Sequence, residues 1–386
     1  MNLNEYFNPV NVTVKASNYI DPREQLQSFI ITHTKEQKIE NIENANLAII
    51  GVVSRKEEDL VYSEEGLLKI RESFYALSNF NKRVKIVDLG NLKNGNTYKD
   101  HEAGLRDVII ELYTLKILPV IIGAADDIIY PNYLAYQKLG KRINLVNIDS
   151  KIRMVDDREM DYKSPLWKIL IENSDSIFFY TNIGYQTHFV GPKVLKYLSD
   201  QQHSSYRLGY IRSHIKEVEP IFRDTDMIGL DVSSVRQSDA FGQPSASPNG
   251  YYGEEICQLS RYAGLSAKLT SFGIYGYDVT QDVNAQTARL IAQVVWYFVD
   301  GYINKIVEQP VENNKEYTKF IVNLDNIENE LVFFNSKITE RWWMEVPVIK
   351  SKNKIKILIS CTQDDYSMAS NGDVPERWLK AFQKIN

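Results

Sequence analysis

The chain has few cysteines and few histidines. It contains 2 cysteines, Cys257 and Cys361, and 5 histidines among 386 residues. The two cysteines form no CxxC pair, so neither a disulfide framework nor a zinc site built on thiolates is expected. None of the histidines lies in the strand-end motifs described below, so each is expected at a surface or structural position.

Strong net charge and long apolar runs are also absent. The formal net charge is −5 and the pI is about 5.7, which argues against a nucleic-acid or anionic-membrane surface. The most apolar helical stretch, residues 290–299, is too short to span a membrane and contains Gln293. The first ten residues lack the basic start and apolar core of a secretory signal. The sequence therefore predicts no nucleic-acid partner, no membrane association and a cytoplasmic location.

The main feature that is present is an alternation of apolar runs with segments of helical periodicity. This pattern predicts an α/β fold of three layers, with a doubly wound, mostly parallel sheet. Strands are expected at residues 46–53, 84–89, 120–122, 143–148, 176–180, 228–232 and 269–275. We expect an N-terminal arm at 1–45 with a helix over 22–31, a main domain at 46–305, and a C-terminal extension at 306–386 packed on that domain. Within the extension, short strands are expected at 331–335 and 355–360.

Charged residues follow three of these strands directly. The run 143–148 is followed by Asp149, Lys151 and Arg153, the segment PVIIGAADD (119–127) ends in two aspartates, and MIGLDVSS (227–234) carries Asp231. Ligands and chemistry in open α/β sheets lie at the carboxyl ends of the strands. The three strand ends are therefore expected to converge on one site.

These motifs resemble those of the ureohydrolase family, which includes arginase, agmatinase and formimidoylglutamase. The family motifs GGDHS, DAHxD and SxDxD correspond to GAADD (123–127), DSKIR (149–153) and GLDVS (229–233). The segments SPNGYYGEE (247–255), TSFGIYGYD (270–278) and QTARLIAQVVWYF (286–298) extend the resemblance over about residues 46–305. It is nearest to the formimidoylglutamase branch. The resemblance implies an arginase-like fold, two manganese ions whose bridging hydroxide attacks a guanidino or amidino carbon, and self-association into a homo-oligomer.

The ligand positions of the family are only partly retained here. Asp149 and Asp231 match family aspartates, and the histidine of GGDHS falls on Asp126, or on Asp127 if the turn slips by one residue. Substituted family ligands fall on Lys151, Arg153 and Ser233. The family's guanidino-binding glutamate falls near Gly276.

The substituted residues are poor metal ligands. An arginine stays protonated and offers no lone pair, and a lysine can ligate only after losing a proton, with a pKa near ~10.4. At ~4 Å each cation–carboxylate pair attracts by about 4 kcal/mol at an effective dielectric constant of ~20. We therefore expect no cofactor, with Lys151 and Arg153 neutralising Asp126, Asp149 and Asp231. Manganese is the alternative.

Three interpretations of the cluster remain open. It is a structural set of salt bridges, a mononuclear metal site built on the three carboxylates, or a reorganised catalytic site with Lys151 as base or nucleophile. A lysine among carboxylates keeps its charged form, which disfavours the last of these.

Two function hypotheses follow. The first is a non-catalytic binding or scaffold protein, and the second is a metal-dependent hydrolase of a C–N bond in a linear amidine or guanidino compound. The ligand would be a small amidino, guanidino or carboxylate compound. Arg236 is a candidate to hold a carboxylate through two hydrogen bonds, although a salt bridge to a nearby acidic residue is the simpler interpretation. Asn249 is a second substrate-binding candidate, or simply part of a turn before the next helix.

Overall fold

The computed structural model describes residues 1–14, 19–53, 63–123, 125–157, 162–311, 314–324, 330–349 and 355–386. Its strands are β1 (Phe7–Asn8), β2 (Ile31–Thr32), β3 (Leu47–Val52), β4 (Ile86–Leu92), β5 (Leu118–Gly123), β6 (Ile143–Ile148), β7 (Asp156–Asp157), β8 (Tyr162–Lys163), β9 (Ile177–Tyr185), β10 (Ser204–Arg207), β11 (Met227–Asp231), β12 (Ser271–Tyr275), β13 (Tyr317–Val322), β14 (Leu331–Ser336), β15 (Trp342–Pro347) and β16 (Lys356–Cys361). Its helices are α1 (Glu64–Tyr75), α2 (Tyr98–Thr114), α3 (Ile129–Lys138), α4 (Pro165–Trp167), α5 (Pro192–Asp200), α6 (Leu208–Ser213), α7 (Val218–Arg223), α8 (Gly253–Gly264), α9 (Gln286–Asn304), α10 (Gln363–Ser370) and α11 (Glu376–Ile385).

The main sheet has the order β1-β4-β3-β5-β12-β11-β6-β9-β10, and β2 also pairs with β4. Among the described strands of this sheet, only β1 runs antiparallel to its neighbour. Strands such as β3 and β5 are buried along their whole length, as is usual for a parallel sheet covered on both faces. This order places the carboxyl ends of β5, β12, β11 and β6 side by side. None of the described helices is both long and apolar enough to cross a membrane.

The N-terminal segment differs from the expected helix over residues 22–31. Two short 3-10 turns, Pro22–Glu24 and Leu26–Ser28, are followed by β2, which adds to the edge of the main sheet. The N–H of Leu26 donates to the carbonyl of Leu77 at 2.9 Å. This long-range backbone bond takes the place of an intrahelical bond, so a continuous helix does not form.

The C-terminal residues form a four-stranded antiparallel sheet of the order β13-β14-β15-β16. One of its faces shares a core with α10 and α11, to which Phe333, Met344 and Trp378 belong. The guanidinium of Arg223 on α7 donates to the carbonyls of Trp342 and Cys361 at 3.0 and 3.3 Å, tying this sheet to the main one. The strands β13 and β15 were not expected from the sequence. The proposed division into arm, domain and extension stays a prediction.

A buried histidine makes the stability of this fold depend on pH. Nδ1 of His203 accepts a hydrogen bond from the N–H of Tyr180 at 3.1 Å. Burial, with Lys384 and Lys380 nearby, lowers the pKa of His203 to about 3 from 6.5. Between pH 6.5 and pH 3, His203 is protonated in the unfolded chain but stays neutral in the folded chain. Stability is therefore lost as the pH falls from 6.5 towards 3, at up to ~1.4 kcal/mol per pH unit.

We expect the variant His203→Asn, which offers an amide oxygen as acceptor, to lack this pH dependence. Between pH 7 and pH 5 the wild type should lose about 2 kcal/mol more unfolding free energy than the variant. Urea unfolding at the two pH values measures the difference, since all other titrations are common to both proteins. Equal losses in the two proteins would show that His203 is protonated in the folded state.

Candidate functional site at the strand ends

Three carboxylates meet where the central strands of the main sheet end. Asp126 lies on a short 3-10 turn after β5, Asp149 directly follows β6, and Asp231 is the last residue of β11. Their side chains are 17%, 10% and 3% exposed, respectively. The convergence expected from the sequence is therefore present in the structure.

Local hydrogen bonds orient two of these carboxylates. Oδ1 of Asp149 accepts from the N–H of Lys151 at 2.9 Å, and Oδ1 of Asp231 accepts from the N–H of Ser233 at 2.7 Å. Each aspartate thus bonds to the backbone two residues further on, as in an Asx turn. The Oδ2 atom of each is left to contact the centre of the cluster.

The guanidinium of Arg153 lies among the three carboxylates. Its Nη2 is 2.6 Å from Oδ2 of Asp231 and 3.7 Å from Oδ2 of Asp149, and its Nη1 is 3.4 Å from Oδ2 of Asp126. Oγ of Ser164 donates to the carbonyl of Arg153 at 2.7 Å and anchors the loop that carries it. The position of the family's second DAHxD aspartate thus holds a cation that bridges the remaining carboxylates.

The charges in this cluster shift one another's pKa values. Burial lowers the pKa of Arg153, but the three aspartates outweigh burial, and the net shift is upward. Burial raises the pKa of Asp149 well above its usual value, Asp231 raises it further, and Arg153 opposes both. Burial raises the pKa of Asp126 in the same way, again against Arg153. Arg153 is therefore the main positive charge that favours the ionised forms of these two carboxylates.

Lys151 forms no ion pair with the cluster, which corrects the expectation from the sequence, although its charge still acts to lower the pKa of Asp126. Its Nζ lies 5.5 Å from the centroid of the Phe189 ring. It forms no ion pair with any residue in the described part of the chain. Phe189 belongs to a turn after β9 and provides an aromatic face outside the cluster. One cation, rather than two, therefore contacts the three carboxylates.

The other candidate residues lie around this cluster. Oγ of Ser233 is buried and has no hydrogen-bond partner among the described residues. Nε of Arg236 is 2.8 Å from Oδ1 of Asp239, so the simpler interpretation, a local salt bridge, describes this residue. Asn249 is exposed, and its carbonyl accepts a hydrogen bond from Gln186 at 2.8 Å. Neither Arg236 nor Asn249 forms a described ion pair or hydrogen bond with the carboxylates.

Sequence reasoning missed Tyr275, at the end of β12. Its hydroxyl is buried without a hydrogen-bond partner in the described residues. Burial raises its pKa well above the usual value, and the charges of Asp231, Asp149 and Asp126 raise it further. A Cβ at Gly229 would lie 1.6 Å from this hydroxyl. Glycine at the position of the family's SxDxD serine was the available signal, because it leaves room for the ring.

Comparison with known proteins finds formimidoylglutamases among the relatives of this chain. No family model matches the chain. The chain is 25% identical over 251 residues to a formimidoylglutamase of Staphylococcus aureus (strain MRSA252), a match that covers 61% of this chain and 79% of that protein.

Solved structures of formimidoylglutamases are also similar to this chain. A Trypanosoma cruzi formiminoglutamase with Mn2+2 superposes with a TM-score of 0.64 at 18% identity, over 73% of this chain and 99% of that one. The formimidoylglutamase from Bacillus subtilis superposes with a TM-score of 0.65 at 18% identity, over 76% of this chain and 97% of that one. The expected arginase-like α/β fold is confirmed.

The same comparison corrects the expectation that no cofactor is involved. The Trypanosoma cruzi protein was solved with manganese. The sequence left manganese as the alternative, so the question is whether the side chains at these strand ends fit manganese.

The side chains as placed do not fit a two-manganese centre. Within the described residues, no group of three or more His, Cys, Asp or Glu side chains is disposed to hold a metal ion. The carboxylates that could ligate are already bonded to Arg153, which has no lone pair to offer a metal. Any metal at these strand ends has to compete with the guanidinium.

Proposed function

Because the chain is a member of the arginase/ureohydrolase family, close to formimidoylglutamase, we propose that it is a non-catalytic member with a binding role. The ligand class is a small amidino, guanidino or carboxylate compound. One observation carries the proposal, namely the 2.6 Å contact between Nη2 of Arg153 and Oδ2 of Asp231 inside the carboxylate cluster.

The physical argument concerns what the cluster can activate. Metal-assisted hydrolysis needs a metal with an open position that lowers the pKa of a bound water. A guanidinium neutralises the carboxylates but provides no such position, since it only donates hydrogen bonds. Lys151, held over Phe189, does not contact the carboxylates and is free to attract a carboxylate ligand at the edge of the site.

Hydrolysis of a linear amidine or guanidino C–N bond is the second candidate. The comparisons with formimidoylglutamases favour it. The presence of Asp149 and Asp231 in the motifs that resemble the family's also favours it. It requires manganese to displace Arg153. Self-association and a cytoplasmic location are further proposals from the family resemblance, and light scattering after size exclusion tests the first.

An activity assay separates the two functions. Protein purified without chelator is incubated with manganese and with formiminoglutamate, arginine or agmatine, and release of formamide or urea is measured. We expect no release above the blank, while a formimidoylglutamase assayed in parallel turns over. The control variants Asp149→Asn and Asp231→Asn should change nothing. Manganese-dependent release that both variants abolish would refute the non-catalytic proposal and establish the hydrolase.

A further inference from the structure

A cavity lies at the end of the main sheet opposite to the carboxylate cluster, where the parallel strands begin. It has a volume of about 370 Å³ and is bounded by the amino ends of β6, β9 and β10 on one side and by β16, α10 and α11 on the other. Asn144, which lines it, precedes Asp149 by five residues along β6, or ~17 Å at ~3.3 Å per residue. The cavity is therefore separate from the carboxylate cluster.

One wall of this cavity is aromatic. The rings of Tyr206 and Tyr210 stack at 5.8 Å, and those of Tyr210 and His214 stack at 4.7 Å. Phe178 and Phe179 continue the wall, with their rings 4.6 Å apart. Such a wall suits the flat or apolar body of a small molecule, and the volume falls within the ~300–1,000 Å³ of known small-molecule sites.

The charges lining the cavity are unbalanced. Five carboxylates and three cationic side chains line it, so its formal net charge is −2 with His214 neutral. The three cations are all paired: Lys268 is 3.5 Å from Asp226, Arg377 is 2.6 Å from Glu217, and Lys380 is 2.7 Å from Glu376. Arg377 is also 3.4 Å from Asp365. Asp226 lies outside the lining and Arg377 is shared by two carboxylates. Asp224 and Asp364 are the lining carboxylates that form no ion pair within the described part of the chain.

Asp224 is the partly buried one of these two. Its oxygens accept hydrogen bonds from N–H and Oγ of Ser360, both at 2.7 Å, and it forms no ion pair within the described part of the chain. The charge of the neighbouring Arg223 also acts on Asp224 without forming an ion pair with it. The Arg223 guanidinium lies 3.5 Å from Glu219, donates to main-chain carbonyls of the C-terminal sheet, and lies 4.4 Å over the ring of Trp343. An ionised carboxylate has about four acceptor positions, so Asp224 keeps capacity for another donor.

We propose that this cavity binds a small organic cation, an ammonium or guanidinium group carried on an aromatic or alkyl body. Asp224 attracts the charged group, and aromatic faces add a favourable interaction with a cation as well as apolar contact. The inference does not depend on the function proposed for the strand-end site.

Isothermal titration calorimetry with three probes of similar body tests the proposal. The probes are 2-phenylethylammonium, neutral 2-phenylethanol and anionic 3-phenylpropionate. We expect the ammonium to bind saturably, the alcohol to bind at least about tenfold more weakly, and the carboxylate not to bind. Absence of ammonium binding at millimolar concentration, or equal binding of ammonium and alcohol, would overturn the proposal.

Variants locate the binding. Asp224→Asn keeps an oxygen for Ser360 and should weaken ammonium binding at least about tenfold. Met368→Trp enlarges a 45% exposed residue at the rim and should abolish it by obstruction. The control Asp200→Asn, in an exposed pair with Lys196, should bind like the wild type. Unchanged binding in both Asp224→Asn and Met368→Trp contradicts the assignment. Circular dichroism confirms that each variant is folded.

Discussion

Replacing Lys151 by histidine and Arg153 by aspartate together tightens manganese binding by about a hundredfold, or ~2.8 kcal/mol at ~1.4 kcal/mol per factor of ten. The change removes the guanidinium that contacts Asp231 at 2.6 Å and Asp126 at 3.4 Å. It also supplies an imidazole and a carboxylate, which are ligands that manganese accepts. Titration calorimetry with manganese chloride measures the affinity.

Two single variants serve as controls for this result. Arg153→Ala removes the competing cation without adding a ligand, so it should tighten binding by only about tenfold. It should also lower the unfolding free energy, because buried carboxylates lose their partner, and manganese should restore that loss. Arg236→Ala should leave the affinity unchanged, because its salt bridge is with Asp239. A wild type that binds manganese as tightly as the double variant would show that Arg153 does not compete for the carboxylates.

Replacing Arg71 by alanine should lower the unfolding free energy by about 3–5 kcal/mol, as when one partner of a buried ion pair is removed. Arg71 on α1 is bonded through Nε to Oδ2 of Asp88 at 2.7 Å and through Nη1 to Oδ1 of Asn91 at 2.7 Å. Its Nη2 donates to the carbonyl of Gly90 at 3.0 Å. Asp88 is 0% exposed, so its charge would be left in the interior without a cation. Urea unfolding followed by circular dichroism measures the loss.

A surface ion pair provides the matched comparison for Arg71. Arg106 and Asp107 are 2.7 Å apart with side chains 32% and 40% exposed, so Arg106→Ala should lose less than about 1 kcal/mol. The double variant Arg71→Met with Asp88→Leu should recover part of the loss, because no charge is then buried. Equal small losses in Arg71→Ala and Arg106→Ala would mean that the buried pair contributes no more than a surface pair.

The fold of the main sheet could be predicted because its strands are continuous apolar runs. The β6 strand, Ile143–Ile148, was predicted to the residue, and β3, Leu47–Val52, to within one residue at each end. The β13 strand alternates between partly buried and exposed residues and contains lysine and threonine, so its composition gave no such signal. Its place depends on pairing with β14 and not on burial of both faces.

The candidate site could be predicted only where it depends on strand topology. The backbone position of Asp126, Asp149 and Asp231 follows from strand topology, so their convergence could be predicted. The ammonium group of Lys151 lies over the ring of Phe189, which comes from a different part of the chain. The residues next to Lys151 in the sequence give no indication of that contact. The hydroxyl of Tyr275 lies over Gly229 of the neighbouring strand, which is again a contact between strands. The cofactor prediction was wrong because it used ligand identities alone, whereas a similar solved structure contains manganese.

Crystals of the wild type grown in manganese chloride, with anomalous diffraction recorded at the manganese edge, test the central claim most directly. The account predicts that the guanidinium of Arg153 remains bonded to Asp231 in the electron density. Two anomalous peaks a few ångström apart between Asp149 and Asp231, with Arg153 displaced from the carboxylates, would contradict it.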